Sequence, residues 1–359
     1  MKKRSKFAIL ALSLGMALTC TAHPPMADDV HGPHVADPNA VLNQSSDALL
    51  PPLLDLAETY RLTNRYVHSR ALLELGLDVA PDSASPNAWK ARILQQLGRT
   101  LTRQGHFDAA DDVLSEARQL ATEGRDDLTR AAALNAMGNN MLVQCGFETE
   151  LIFDALTALH EQAWAIHREL VVATPADPRA WSGLGESLFH MGYLAERAGH
   201  PKRAAARYRE GAAAAEKGGN PVVLGYCLRH LGQIALNENR LAEAELYFRR
   251  CVTARSRAGS VSGTGFAIST LATFLYEHRR DTDTAIAWLS EGLRVTRRTQ
   301  AHAATAVQLL DLARIHLAEH RMDEAVKYGK ECLDLARRHE LRRVREEAER
   351  LLVEARDGQ

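Results

Sequence analysis

Two histidines near the end of the chain have the spacing of a metal site. His316-Leu317-Ala318-Glu319-His320 reads H-x-x-E-H, the inverted form of a zinc-protease motif, and histidines four residues apart share one face of a helix. Only 39 residues follow His320, too few for a domain that would supply a third ligand and a substrate cleft. A zinc-dependent hydrolase that uses His316 and His320 is therefore a remote alternative, and we expect no bound metal.

A second segment has the glycines of a phosphate-binding loop. GSVSGTG, residues 259–265, lacks the lysine and the preceding strand that such loops require. We therefore expect this segment to be a turn between two helical units. Neither a Ser-His-Asp arrangement nor a dinucleotide fingerprint is present in the sequence. The sequence thus predicts no cofactor and no enzymatic activity.

Four cysteines lie in the body of the chain, at Cys145, Cys227, Cys251 and Cys332. None belongs to a C-x-x-C pair, and their wide, irregular spacing does not resemble a disulfide framework. We expect small, buried residues with free thiols.

The first residues have the pattern of an export signal. Four cations at positions 2, 3, 4 and 6 precede an apolar run, residues 7–18, that is too short to span a bilayer. We assign residues 1–22 to a signal peptide, with cleavage after Ala22 or after Ala27. Ala17-Leu18-Thr19-Cys20 also resembles a bacterial lipobox, so lipidation of Cys20 is an alternative. The expected location is periplasmic or secreted, with a lipid anchor as one possibility.

The charge of the chain argues against a nucleic-acid partner. The formal net charge of −1 becomes −5 when the four cations of the signal peptide are removed. A mildly acidic protein lacks the basic surface that phosphate backbones require. No second apolar run is long enough for a membrane span, so we expect no transmembrane helix in the mature chain.

The elements that would carry any site are repeated helices. Alanine, leucine, arginine and glutamate dominate, aromatic residues make up 6%, and alternating β-branched patterns are almost absent, so the fold class is all-α. In one copy of the repeat, apolar or small residues stand at Leu94, Leu97, Gly98, Leu101, Ala110, Leu114 and Ala117. The same spacing recurs around Gly232 and Ala313, and weaker copies centre on Ala57, Gly138, Gly185 and Ala272. The intervals between these seven centres are 41, 40, 47, 47, 40 and 41 residues.

These copies resemble the tetratricopeptide (TPR) repeat, which begins W-x2-L-G-x2-Y and continues with an alanine and an aromatic residue. WSGLGESL, residues 181–188, is similar to the opening, and GHFDAADDVLSEA and NRLAEAELYFRRC are similar to the second half. The resemblance implies a right-handed α-solenoid of about seven helical hairpins over residues 49–340, of a subtype with long units. We expect a disordered linker at 23–48 and a C-terminal capping helix and tail at 341–359. Gly98 would allow the two helices of a hairpin to approach closely opposite Ala110, and Gly105 would end the first helix.

The resemblance also implies that the first helices line a concave groove where a partner protein or peptide binds. Offsets from Gly98 and its equivalents place these polar side chains on the groove: Arg92, Gln95, Arg99, Arg103, Asn135, Asn139, Tyr226, Arg229, Gln233 and Tyr276. Such side chains can bind an extended backbone or an acidic group, although a solvated helix face explains them equally well. The expected function is an exported, non-enzymatic interaction scaffold. The alternative is an exported regulatory or sensor module that binds a peptide or small ligand.

Overall fold

The computed structural model describes residues 38–146 and 149–357, and within these ranges the ordered elements are all helices. Fifteen α-helices follow one another in the chain. They are α1 (Pro38–Leu62), α2 (Tyr66–Val79), α3 (Pro86–Gln104), α4 (Phe107–Glu123), α5 (Asp127–Cys145), α6 (Glu150–Ala173), α7 (Pro178–Arg197), α8 (Pro201–Lys217), α9 (Pro221–Asn237), α10 (Leu241–Arg257), α11 (Val261–Phe274), α12 (Thr282–Arg298), α13 (His302–Ala318), α14 (Met322–Arg338) and α15 (Arg342–Asp357). A short 3₁₀ helix, Ala80–Asp82, and one π-helical turn, Leu275–Arg279, complete the set.

Successive helices form seven hairpins, from α1/α2 to α13/α14, and α15 closes the array. From α2 onward each helix packs against the next one, and α15 packs against both helices of the seventh hairpin. The first helices of neighbouring hairpins also contact one another, as α3 does with α5, α5 with α7, and α7 with α9. They therefore form the inner layer of the solenoid. The prediction of an all-α solenoid with seven hairpins and a C-terminal helix is confirmed.

Local sequence signals set the helix boundaries. Proline stands at the first turn of α3, α7, α8 and α9, where its fixed φ fits and its missing N–H costs nothing. Asp126 at the start of α5 accepts a hydrogen bond from the backbone N–H of Thr129 at 3.1 Å, and Asn220 caps α9 in the same way. Gly105 follows α3 with φ +79°, so the predicted role of this glycine as a left-handed helix end is confirmed.

In three hairpins a glycine of the first helix faces a large side chain sixteen positions later. An added Cβ at Gly232 would lie 2.5 Å from the ring of Phe248, and one at Gly192 would lie 2.7 Å from the ring of Tyr208. Gly98 faces Leu114 in the same manner, so the expectation that Ala110 is its counterpart was wrong. In the fourth unit the glycine that faces the second helix in this way is Gly192. The prediction that this unit centres on Gly185 was therefore also wrong. The residues that make two of the intervals between repeat centres longer than the others belong to the third unit. The second helix of that unit, α6, has 24 residues.

The first helix begins earlier than the sequence predicted. The expected disordered linker, 23–48, overlaps α1 from Pro38 onward. Asp47 explains part of this difference, because its carboxylate accepts hydrogen bonds from Trp89 Nε1 at 2.8 Å and from the Ala84 N–H at 3.2 Å. Leu50 is fully buried one turn later and anchors the helix to the core. The predicted signal peptide, Cys20 and the linker up to residue 37 lie outside the described residues.

The four cysteines of the body are free, as predicted, and all except the half-buried Cys145 are buried. The thiols of Cys251 and Cys332 donate to the backbone carbonyls of Gly225 and Ala306, each at 3.2 Å. Of the helices in the described part of the chain, none combines the length and the apolar character needed to cross a membrane.

Candidate functional site

The two histidines of the H-x-x-E-H motif do not come together. His316 is buried on α13, where its ring stacks on Tyr328 with 5.4 Å between centroids. The helix ends at Ala318, and His320 lies exposed in the following turn with φ +57°. Across residues 38–146 and 149–357, no group of three or more His, Cys, Asp or Glu side chains is placed to hold a metal ion.

Six of the ten polar residues predicted for the groove line its surface in the structure: Arg99, Arg103, Asn139, Tyr226, Arg229 and Gln233. They border two pockets, of about 1070 Å³ and about 480 Å³. Arg103, Tyr226 and Arg229 border both pockets, so these three residues lie where the two pockets meet.

The other four predicted groove residues do not border these two pockets. Arg92 binds Asp126 at 3.3 Å, and the Tyr276 hydroxyl donates to Glu319 Oε1 at 3.2 Å. Gln95 and Asn135 are buried, whereas Gln96, one residue further along α3, borders the smaller pocket. A shift of one residue rotates a side chain by about 100° around a helix. The offset from Gly98 was therefore too coarse to separate buried from groove-facing positions.

Tyr226 on α9 lies among arginines from three helices. Arg103, near the end of α3, donates from Nη2 to the Tyr226 hydroxyl at 3.4 Å, and the Arg255 guanidinium of α10 lies 3.7 Å from the Tyr226 ring centroid. Burial alone would raise the pKa of the Tyr226 phenol, but the charges of Arg255 and Arg103 lower that pKa to about 8. We call Arg103, Tyr226, Arg229 and Arg255 the arginine–tyrosine cluster.

A chain of hydrogen bonds holds Arg229 in this cluster. Arg229 Nη2 donates to His230 Nε2 at 2.8 Å, and His230 Nδ1 donates to Glu196 Oε2 at 2.7 Å. The Tyr208 hydroxyl donates to the same carboxylate oxygen at 2.6 Å. The arrangement requires a neutral His230 with its proton on Nδ1. Burial lowers the pKa of His230, and the neighbouring Arg229 charge adds to that effect against the raising influence of Glu196.

Arg255 passes between two glycines. An added Cβ at Gly225 of α9 would lie 2.7 Å from Arg255 Nε, and one at Gly263 of α11 would lie 3.3 Å from its Cδ. Within the GSVSGTG segment only Gly259, with φ +65°, and Ser260 lie outside the helix, because α11 begins at Val261. The expectation that the whole segment is a turn was therefore wrong. Sequence reasoning missed Arg255 because it lies on a second helix, but the glycines at 225 and 263 were a visible signal.

Three buried histidines lie beside the smaller pocket. His160 and His190 stack with their ring centroids 4.1 Å apart. His160 Nδ1 lies 3.1 Å from Asn135 Oδ1, and the Asn135 amide donates to Ser187 Oγ at 2.9 Å. The Nδ1 atom of His167 lies 2.9 Å from the same serine oxygen. Burial lowers the pKa of His190 to about 3 and that of His167 to about 4, so both rings are neutral at pH 7.

A hydrogen bond between side chains joins the first hairpin to the sixth. Asn64, in the turn after α1, donates from Nδ2 to Ser262 Oγ on α11, and both residues border the larger pocket. The larger pocket therefore lies between the two ends of the arc that runs from the first to the sixth hairpin.

Comparison with known proteins agrees with this architecture. Residues 230–257 match the family model described as a tetratricopeptide repeat. No curated protein sequence matches the chain.

Two solved structures share the arrangement of the helices. A signal-transduction ATPase with numerous domains and a tetratricopeptide repeat sensor, from Pyrococcus horikoshii, has a TM-score of 0.56 at 14% identity, over 84% of this chain and 44% of that one. A Rap protein complexed with competence and sporulation factor has a TM-score of 0.52 at 12% identity, over 89% of this chain and 97% of that one. The chain is therefore a tetratricopeptide-repeat solenoid in its fold, and residues 230–257 are the repeat that matches the family model.

Proposed function

We propose that the protein is a non-enzymatic scaffold that binds a protein or peptide segment in the groove formed by its first helices. The observation that supports this proposal is the position of Arg103, Tyr226 and Arg229, which border both pockets of the groove. Polar side chains from helices far apart in sequence thus face one continuous surface.

The chemistry of this surface suits an extended chain. Asn139 and Gln233 offer amide donors and acceptors that match a peptide backbone, and Phe266 and Val307 offer apolar walls for its side chains. A volume of about 1070 Å³ is at the upper end of what small-molecule sites occupy. A peptide of several residues fits such a space better than a small metabolite does.

Photo-crosslinking tests the proposal. We would place a photoreactive amino acid at Gln233 or at Asn139 in the groove, and at Ala206 on the exposed side of α8 as the control. The expected result is a specific crosslinked partner from the two groove positions and none from Ala206. Crosslinks of equal yield at all three positions, or none at the groove positions in cells that produce the partner, would contradict the proposal.

A sensor module is the second candidate. The contact between Asn64 and Ser262 favours it, because a groove closed across its ends suits a short peptide better than a folded partner. The similar structures include a Rap protein complexed with competence and sporulation factor and a protein with a tetratricopeptide repeat sensor. A ligand that changes hydrogen exchange in α1 and α11 together would favour the sensor, and crosslinking to a folded protein with no such change would favour the scaffold.

We also propose that the protein is exported. The support is the sequence of residues 1–22, with its four cations, its apolar run and the lipobox-like Ala17–Cys20 segment. Intact mass of the protein from a bacterial host tests this: cleavage after Ala22 or Ala27 indicates a secreted form, and a diacylglyceryl mass on Cys20 indicates a lipoprotein. An uncleaved chain in the cytoplasmic fraction would contradict export.

A further inference from the structure

Three of the arginines around the groove have no carboxylate partner. Within residues 38–146 and 149–357, no ion pair involves Arg103, Arg229 or Arg255. Two other groove arginines do have acidic neighbours: Arg61 binds Glu58 at 2.6 Å, and Arg99 lies 3.9 Å from Glu186. Glu277, the acidic residue that borders the larger pocket, lies 3.8 Å from His278 instead. Among the described residues, no carboxylate therefore pairs directly with the guanidinium groups of the arginine–tyrosine cluster, and Glu196 acts on Arg229 only across His230.

The burial of Arg255 makes its positive charge, unpaired among the described residues, energetically unfavourable. Its side chain is 6% exposed, yet it borders the larger pocket, and its closest aromatic neighbour is the Tyr226 ring at 3.7 Å. A buried charge is unfavourable unless an opposite charge or strong hydrogen bonds compensate it. Two glycines, Gly225 and Gly263, leave the space that this side chain occupies. The site is thus shaped around a buried cation that has no ion-pair partner among the residues that the structure describes.

We propose that the arginine–tyrosine cluster binds a carboxylate of the bound peptide, either its C-terminal carboxylate or an Asp or Glu side chain. This inference rests on the proposed function, because it names the chemistry of the segment that enters the groove. The guanidinium groups of Arg103, Arg229 and Arg255 would supply charge-assisted hydrogen bonds, which are stronger than those between neutral groups. The chain from Arg229 through His230 to Glu196 holds one of these donors in place before the ligand arrives.

The surroundings favour a carboxylate that is part of a peptide. The larger pocket is also bordered by Phe266 and Val307, which leave apolar surface for residues that flank the acidic group. Gln233 on the same helix as Tyr226 and Arg229 can bind the adjacent backbone. A free anion would use the cluster and leave this adjoining surface empty.

Arrays of acetylated random nonapeptides with four compositions test the proposal with the full chain. The first set has neutral side chains and an amidated C-terminus, and the second has neutral side chains and a free C-terminal carboxylate. The third allows Asp and Glu with an amidated C-terminus, and the fourth contains phosphoserine with an amidated C-terminus. We expect the best ligands of the second or third set to bind roughly tenfold to a hundredfold more tightly than the best neutral ones. Comparison of these two sets identifies which carboxylate is used.

Substitutions locate the effect. Arg255→Gln and Arg229→Gln should each lower the affinity for the acidic peptides to that for the neutral set. Arg257→Gln removes the same charge from an exposed position two residues away on α10 and should leave the preference unchanged. If circular dichroism shows that the Arg255 variant is unfolded, Arg103→Gln, at an exposed position, carries the test.

The outcomes separate the two proposals. Equal affinity for neutral and acidic peptides, or a preference that survives Arg229→Gln, would overturn the carboxylate site while leaving peptide binding in the groove intact. A preference confined to the phosphoserine set would overturn it in favour of a phosphate. Failure of every set to bind would contradict the proposed function itself.

Discussion

Gly232 of α9 lies directly against the ring of Phe248 on α10: an added Cβ would stand 2.5 Å from Cε1 of the phenylalanine. The same relationship joins Gly192 and Tyr208, where the distance is 2.7 Å. Glycine in these helices is therefore explained by the approach of the second helix, since a methyl group would occupy space that the aromatic ring already fills.

Gly232→Ala should destabilise the protein although alanine favours helix formation. We expect a loss of about 1–3 kcal/mol in the free energy of unfolding, because the added methyl group overpacks the interface with Phe248. Urea denaturation followed by circular dichroism measures the loss. The double variant Gly232→Ala, Phe248→Ala should lose less than the sum of the two single variants, since removal of the aromatic ring frees the space that the added methyl group needs. Simple additivity of the two losses would show that the contact is not the cause.

The buried histidines predict a loss of stability in mild acid. Burial lowers the pKa of His190 to about 3 and that of His167 to about 4, and lowers the pKa of His160 well below its usual value. The unfolded chain therefore binds these protons from about pH 6.5 downward while the folded chain does not. His190 and His167 should each cost about 2 kcal/mol of stability between pH 7 and pH 5, and His160 should act in the same direction.

The comparison of variants isolates this effect from the titration of carboxylates. His190→Phe keeps a flat ring against His160 without a titrating group, so its loss of stability from pH 7 to pH 5 should be about 2 kcal/mol smaller than that of the wild type. His200→Phe, at an exposed position, is the control and should match the wild type. An unchanged loss in the His190 variant would mean that this histidine is not the source.

Asp311 on α13 predicts the opposite dependence on pH. Burial raises the pKa of its carboxyl to about 6, against the lowering effects of Ser269 and Arg314. The folded chain therefore holds this proton more tightly than the unfolded chain, and the associated stability is lost as the pH rises through 6. Asp311→Asn should increase the free energy of unfolding by about 1–3 kcal/mol at pH 8. Near pH 4 the gain should disappear, and Asp334→Asn, at an exposed position, should show no gain at either pH.

Much of the fold could be predicted because its signals repeat. The seven copies of the small-residue pattern define the seven hairpins, and Gly105 marks a helix end by its left-handed conformation. The register of the fourth unit was predicted wrongly because WSGLGESL resembles the start of a repeat. The contact with Tyr208 is made by Gly192, seven residues after Gly185. Only the packing of the second helix distinguishes these two glycines.

The candidate site was predictable in part. Six polar residues on first helices could be assigned to the groove from their spacing, but Arg255 could not, because it enters the groove from a second helix between Gly225 and Gly263. Asn135 was misplaced because its hydrogen bonds to Ser187 and His160 involve residues far along the chain. The spacing of residues within a single repeat does not predict the contacts between different hairpins.

Tyr226 should ionise at a lower pH than an ordinary tyrosine does. The charges of Arg255 and Arg103 overcome the effect of burial and lower the pKa of its phenol to about 8, whereas burial and Glu196 raise the pKa of Tyr208. A near-ultraviolet absorbance titration should therefore show one of the eight tyrosines ionising near pH 8. Tyr226→Phe should remove this component, and Arg255→Gln should raise its midpoint by about one pH unit because the charge that lowers the pKa of the phenol most is lost. A midpoint unchanged by Arg255→Gln would show that Arg255 does not act on the phenol, while Arg257→Gln should leave it unchanged in any case.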